Sequence, residues 1–385
     1  MLRYLTAGES HGQCLVVVVE GCPGGFRVDV EALDRDMWRR QQGHGRGGRM
    51  AIEHDRVRVL SGVRWGETLG SPITFLIENR DWKNWEKTMS PRPEDRCDVR
   101  VVTRPRPGHA DLAGALKYDH RDLRNVLERA SARETAARVA VGSLCKSLLA
   151  PFGIRVMGYV SEIGGIVAEH SDLTPEETVE RAERSPVRVA DPAAETRMVE
   201  LIDASKRSGD TLGGVVEAVA LGLPPGLGSH VHWDRKLDGR LGQALMSIQA
   251  AKGVEIGHAF AIARRPGSQA HDEISFGPAG FTRLTNNAGG VEGGMTTGAP
   301  LKVRVAFKPL STLMKPLKSV DIRTKADATA AIERSDVCAV PAAAVIVEAV
   351  TATVVAQAFL EKFAGDSFSE VRRNYDGYLE QVRAF

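Results

Sequence analysis

Residues 7–12 read A-G-E-S-H-G and set a serine and a histidine between glycines directly after a first strand-like segment. Glycines on either side of a polar pair let backbone approach a ligand closely while Ser10 and His11 point at it. The string also satisfies G-x-S-x-G, the nucleophile elbow of serine hydrolases, with Ser10 as nucleophile. That chemistry needs a strand–turn–helix, whereas Gly12 is followed by Gln13, Cys14 and the apolar run 15–19, which reads as a buried strand. The hydrolase reading fails on this context.

Residues 39–49, R-R-Q-Q-G-H-G-R-G-G-R, contain G-x-G-x-x-G at Gly43, Gly45 and Gly48. A dinucleotide fold places that pattern between a strand and a helix, but here a helix precedes it and a strand-like segment follows. What remains is Arg39, Arg40, Arg46 and Arg49 with no acidic residue between Met37 and Ile52. Guanidinium forks on a glycine-rich loop suit phosphates and carboxylates. A solvated basic loop or an RNA contact is the alternative, and aromatic residues, 5% of the chain, do not interleave here to stack on bases.

Residues 104–111, R-P-R-P-G-H-A-D, hold His109 on a stiff Pro107-Gly108 turn beside arginines, suited to acid–base or hydrogen-bonding work. Residues 128–138, E-R-A-S-A-R-E-T-A-A-R, gather Arg129, Ser131 and Arg133 about a helix start, where backbone donors favour anions and Ser131 can equally be a cap. The glycine-rich 286–298 has no lysine and is no P-loop. Lys308, Pro309, Leu310, Ser311 and Thr312 add a cation and two hydroxyls after a strand, and Arg334 and Asp336 precede an apolar helix that Asp336 could cap.

These loops need a scaffold. Strand character is expected at 2–5, 15–20, 57–60, 73–78, 214–221, 254–263 and 303–307. Helices are expected after Asp29, after an S-x-x-E capping box at 131–134, after Thr174-Pro175, over 234–248 and from Pro341 onward. Residues 79–108 read as a long ordered loop. The whole reads as one α/β-class domain, 1–385, with helices packed between or against mostly antiparallel sheets. A net charge of +2 gives no general case for nucleic acid or membrane. Five scattered cysteines without C-x-x-C spacing, and no signal-like N-terminus, predict a cytoplasmic protein with reduced thiols. Neither His11 with Cys14 nor His230 with His232 completes a metal site, and 341–359 reads as a buried helix.

Together with K-G-V-E-I-G (252–257), N-A-G-G-V-E-G-G and R-S-D-x-C-A-V-P-A-A, these blocks resemble the chorismate synthase family over nearly the full length. Pro105 and Ala130 replace Gly and Ser of many relatives, and 117–127 resembles the longer bacterial form. The resemblance implies a β-α-β sandwich of two antiparallel sheets around central helices, assembled as a homotetramer. It implies 1,4-anti-elimination of phosphate from 5-enolpyruvylshikimate 3-phosphate, with reduced FMN and no net redox change. A phosphate and two carboxylates on the substrate would explain arginines in unrelated loops.

By resemblance, Arg46, Arg49, Arg133 and Arg334 bind substrate, with Arg40 and Arg46 alternatively assigned to NADPH. Flavin contacts are Arg129, Ala130, Ser131, Gln249, Ala250, Gly293, Lys308 to Thr312 and Arg334. His11 is expected to protonate the departing phosphate with Ser10 assisting, and His109 to face the flavin ring. Ser131 is a further catalytic candidate, and Asp336 is expected to relay the ring proton from the flavin. No separate reductase domain is legible, so an external flavin reductase is expected. An arginine-rich RNA-binding protein and a Ser10 hydrolase are the competing readings, and bound flavin would exclude both.

Overall fold

The computed structural model describes residues 2–48, 52–169, 172–278, 280–333 and 335–385. Its first sheet orders the strands Arg3–Ala7, Cys14–Glu20, Ile73–Glu78 and Arg58–Ser61, antiparallel throughout. The 15–19 run is not buried on both faces. Leu15, Val17 and Val19 point inward opposite Ile77, Phe75 and Ile73, while Val18 is exposed. The second sheet orders Ala251–Ile256, Leu301–Phe307, Gly214–Leu221, Arg155–Ile163 and Ile166–Val167, also antiparallel. Strict alternation along Leu301–Phe307 buries Leu301, Val303, Val305 and Phe307.

Two helices occupy the core. Thr135–Leu149 packs on the first sheet, Val340–Lys362 packs on the second, and the two lie against each other. The helices approach closely, since a Cβ on Gly142 would come within 2.4 Å of Ala349, and the second sheet comes as close to Val340–Lys362, a Cβ on its Gly158 lying within 2.5 Å of the Ala344 carbonyl oxygen. Val340–Lys362 is long and apolar enough to cross a membrane, yet it is enclosed by protein, as expected for 341–359.

Three expectations change. The strand predicted over 254–263 ends at Ile256, and Gly257, at φ +60, turns the chain into the short helix Ala259–Ile262. Ser131 caps a 3-10 turn, Ala132–Glu134, by accepting from the Arg133 N–H, and the long helix begins only at Thr135. Glu134 faces Thr6, Arg138 and Gln249 rather than closing a capping box; the reciprocal box forms at Thr174 and Glu177. Asp336 caps nothing, because the final core helix starts at Val340 and its cap position is Ala339.

One charged cluster crosses the layers. Glu348, 2% exposed, accepts from both Arg39 terminal nitrogens at 2.7 and 3.0 Å, from Lys146 Nζ and from the Gly158 N–H at 2.9 Å. Asp36 binds the same Arg39 and Lys146. Burial opposes ionisation of Glu348, but Arg39 and Lys146 overcome it and hold the carboxyl at about 2 against an ordinary 4.5. A carboxyl depressed in this way stabilises the fold above its unfolded value and loses that contribution as pH falls through the folded one. Glu348→Gln should therefore lower the unfolding free energy at neutral pH by about 3–5 kcal/mol. It should also flatten the fall in stability between pH 4.5 and 2, measured by urea unfolding across that range.

Candidate active site

The N-terminal loop follows its strand through Gly8, where φ is +105 and a Cβ would lie 2.3 Å from the Cys14 carbonyl oxygen. This turn brings His11 against the helix Arg124–Ala130. His11 Nδ1 lies 2.9 and 3.0 Å from the two Glu128 carboxylate oxygens, and the His11 backbone N–H donates to Glu128 at 2.8 Å. The buried Ser10 donates its backbone N–H to the Glu128 carbonyl. The His11 ring stacks on Trp85 at 3.9 Å and 22°. Burial opposes ionisation of Glu128, and its contacts with His11 and Arg124 outweigh this, holding the carboxyl below its ordinary value.

His109 is held by a second buried carboxylate. Its Nδ1 lies 2.5 Å from Asp111, and Arg106 donates to both Asp111 oxygens at 2.9 and 3.1 Å. Asp111 is fully buried, which opposes ionisation, yet His109 and Arg106 keep it well below the usual carboxylate range. Arg106 also donates to Thr312 Oγ1 at 2.8 Å, and Ser311 Oγ donates to the Gly108 carbonyl at 2.9 Å, so the 308–312 segment is tied to the His109 turn.

The other expected flavin residues extend this set. Arg129 donates to the carbonyls of Gly8 and Thr6 and to Thr6 Oγ1; Thr6 in turn donates to Glu134, which accepts from Gln249 Nε2 at 3.1 Å. The Lys308 N–H donates to the Ala250 carbonyl, and Lys308 Nζ to Ser311 Oγ. Ala130 ends its helix, and Leu310 accepts from Thr211 beside the exposed Pro309. An unbroken path of contacts thus runs from His11 to His109. Gly293 stands outside it, in an open hairpin turn where a side chain would meet only His230 Cβ at 4.0 Å.

Two features of this set ask for a ligand. Gln249 Oε1 is buried and accepts no hydrogen bond among the described residues. Lys308 has no acidic partner among them, and burial and the neighbouring Lys252 lower its pKa. Ala250 also holds φ +68, a conformation that costs a non-glycine residue about 1–3 kcal/mol.

The remaining arginines divide. Arg133 is buried, donating to both Asp55 oxygens at 2.7 and 2.6 Å, to Asn79 Oδ1 and to the Glu78 carbonyl. The buried Arg40 spends its nitrogens on Asp55, Thr135 and the Ala132 carbonyl, and burial pushes its pKa down to about 9. Arg46 donates to Asp336 at 2.6 Å, and the Gly47 N–H donates to the other Asp336 oxygen at 2.6 Å. Arg49 and Arg334 lie outside the described residues. Sequence reasoning missed a groove of about 460 Å³ beside His11, lined by Trp85, Arg100, Arg104, Arg124 and Glu333. Arg100 and Arg104 have no acidic partner among the described residues, and Arg100 covers Trp85 at 3.9 Å. The signal for Glu128 and Asp111 was present, since both lie inside the quoted motifs.

The family model for chorismate synthase matches residues 2–360. The chain belongs to the chorismate synthase family. It is 67% identical to the chorismate synthase of Symbiobacterium thermophilum over 388 residues, covering 99% of each chain. It is 59% identical to that of Geobacter metallireducens over 393 residues, covering both completely. A crystal structure of a chorismate synthase superposes with a TM-score of 0.81 at 43% identity, covering 100% of this chain and 99% of the other.

Asp55 is a structural hub, since it neutralises two buried cations. Asp55→Ala should cost about 3–5 kcal/mol by chemical denaturation, because Arg40 and Arg133 would stay buried without it.

Proposed function

We propose that this chain converts 5-enolpyruvylshikimate 3-phosphate to chorismate by 1,4-anti-elimination of phosphate and a ring proton, the lyase step of the shikimate pathway that its family carries. The continuous path from His11 to His109 through the Gln249 and Lys308 segments is the observation that carries this reading. The sheet–helix–helix–sheet succession supports the β-α-β sandwich, and one hydrophobic core drawn from both sheets supports a single domain.

The residues present fit FMN. Lys308 with the hydroxyls of Ser311 and Thr312 suits its phosphate, and the unsatisfied Gln249 Oε1 suits a ring N–H. Arg129, Ala130, Ser131 and Ala250 complete the wall on the same path, while Gly293 and Arg334 stay in the assignment by resemblance. When bound and reduced, FMN supplies the electron-rich ring that makes the elimination possible. A position for NADPH on Arg40 does not fit, since its nitrogens are bound internally, and this supports an external reductant such as a flavin reductase.

The chain's own groups divide the remaining work. His11, with Nδ1 on Glu128, offers Nε2–H to the departing phosphate, whose growing charge a positioned proton donor offsets. Ser10 lies beside it, and Ser131 assists at the mouth of the 132–134 turn. The Pro107-Gly108 turn that carries His109 lies against Lys308 and Ser311, and His109 is read as facing the flavin ring. Substrate anions meet Arg46, Arg49 and Arg334, with Arg100 and Arg104 in the groove. Arg133, bound on every nitrogen, supports the site through Asp55. Asp336 takes the ring proton onward. Exposed Ile274, Phe276, Phe281 and Phe385 offer apolar surface for assembly into a homotetramer, and a cytoplasmic location follows from the biosynthetic role.

Anaerobic incubation with chemically reduced FMN and substrate should yield chorismate and phosphate in equal amounts without net flavin oxidation. One flavin oxidised per product would defeat the assignment. For Asp336, the Asn variant keeps an acceptor for Gly47 but loses the charge facing Arg46. Asp336→Asn should lower turnover about 10²-fold or more while the thermal midpoint stays near that of the parent; full activity would move the proton-relay role elsewhere.

A further inference from the structure

Two histidines from unrelated segments are built alike. In each, Nδ1 contacts a carboxylate that is 2% exposed or less, and an arginine contacts that same carboxylate: Arg124 at 3.0 Å for Glu128, Arg106 at 2.9 Å for Asp111. One such arrangement can follow from a single helix. Two suggest a requirement on the imidazoles. At His11 the constraint is tighter, because Glu128 also accepts the His11 backbone N–H and Trp85 fixes the ring plane.

We infer that Glu128, backed by Arg124, is the positioning residue of His11: it keeps a proton on Nδ1 and leaves Nε2 as the nitrogen that meets the leaving phosphate. The inference rests on the reading of His11 as the acid, and it adds the group that sets which nitrogen works. Neutral histidine in water carries its proton mainly on Nε2, and a carboxylate on Nδ1 reverses that preference. Arg124 lets Glu128 remain ionised at full burial by binding one of its oxygens, and is itself anchored to Glu333 at 3.0 Å and to the Arg100 carbonyl at 2.6 Å. The other charges about the ring are Arg100, reached across Trp85, and Glu9, whose carboxylate lies against Gly12. His109 differs, since Arg106 itself stands 3.2 Å from its Nδ1 and Lys308 lies beside its turn. Cations there offset the carboxylate, whereas the group touching the His11 ring nitrogen is a carboxylate alone.

Nitrogen-15 NMR of the full chain with labelled histidine tests this without substrate. In the parent protein the neutral form of His11, assigned from its loss in His11→Ala, should carry its proton on Nδ1. Glu128→Gln, which keeps the shape and removes the charge, should shift neutral His11 toward the Nε2–H tautomer, read from the same ring-nitrogen signals. It should also cut kcat about 10²-fold with little change in KM, and Glu128→Asp should recover part of both. Asp111→Asn should leave the His11 tautomer in place. A parent His11 with its proton on Nε2, or a tautomer unmoved by Glu128→Gln, overturns the inference. Should Glu128→Gln not fold, the tautomer of the parent decides alone. Absence of chorismate formation by the parent would count against the proposed reaction and leave the NMR result standing.

Discussion

The structure turns on one carboxylate inside an apolar helix. Val340–Lys362 is buried on nearly every side, so hydrophobicity alone gives it no preferred face and leaves its rotation undetermined. Glu348 removes that freedom. Its donors come from three other elements: Arg39 from the helix Val30–Gln41, Lys146 from the second core helix and the Gly158 N–H from the second sheet. A buried ion missing such partners would cost several kcal/mol, more than the roughly 1.5–3 kcal/mol that one buried aliphatic side chain contributes. Only one rotation satisfies all of these donors.

That choice propagates to the chemistry. The chain entering the helix carries Asp336 and Cys338, and the chain leaving Val30–Gln41 carries the loop with Gly45, Arg46 and Gly47. The two runs are stitched by the Val337 N–H to the Gly45 carbonyl at 2.8 Å and by the Arg46–Asp336 pair. Setting the helix about Glu348 therefore sets where Asp336 meets its arginine. Arg39 holds Glu348 and Arg40 holds Asp55 from adjacent positions, so one helix end serves both the core and the loops of the site.

The arginines show how burial sorts function. A buried guanidinium needs a fixed acceptor, so Arg40, Arg124 and Arg133 are committed to internal oxygens. Cations available to an anionic substrate must instead stay near solvent, and Arg100, Arg104 and Lys308 do so. A count of arginines in sequence motifs cannot make that division.

Sequence by itself determined most of the strands, the apolar core helix, the helix start at Thr174-Pro175 and the motifs bearing both histidines. These are local properties: side-chain period, cap chemistry and turn residues act within a few positions. It also carried the family, because long motifs in fixed order are specific where single ones are not. Only tertiary structure decided the long-range partners. No acid lies between Met37 and Ile52, yet beyond the local Asp36–Arg39 pair, Glu348, Asp55 and Asp336 reach Arg39, Arg40 and Arg46 from 15 to 309 positions away. Ser131 read as a capping box until Glu134 was drawn off to Thr6 and Gln249, and Asp336 read as a cap until Arg46 and Gly47 claimed it. A charged or polar group takes whichever acceptor or donor the packed chain brings within 3 Å, and packing, not spacing along the chain, fixes which one that is.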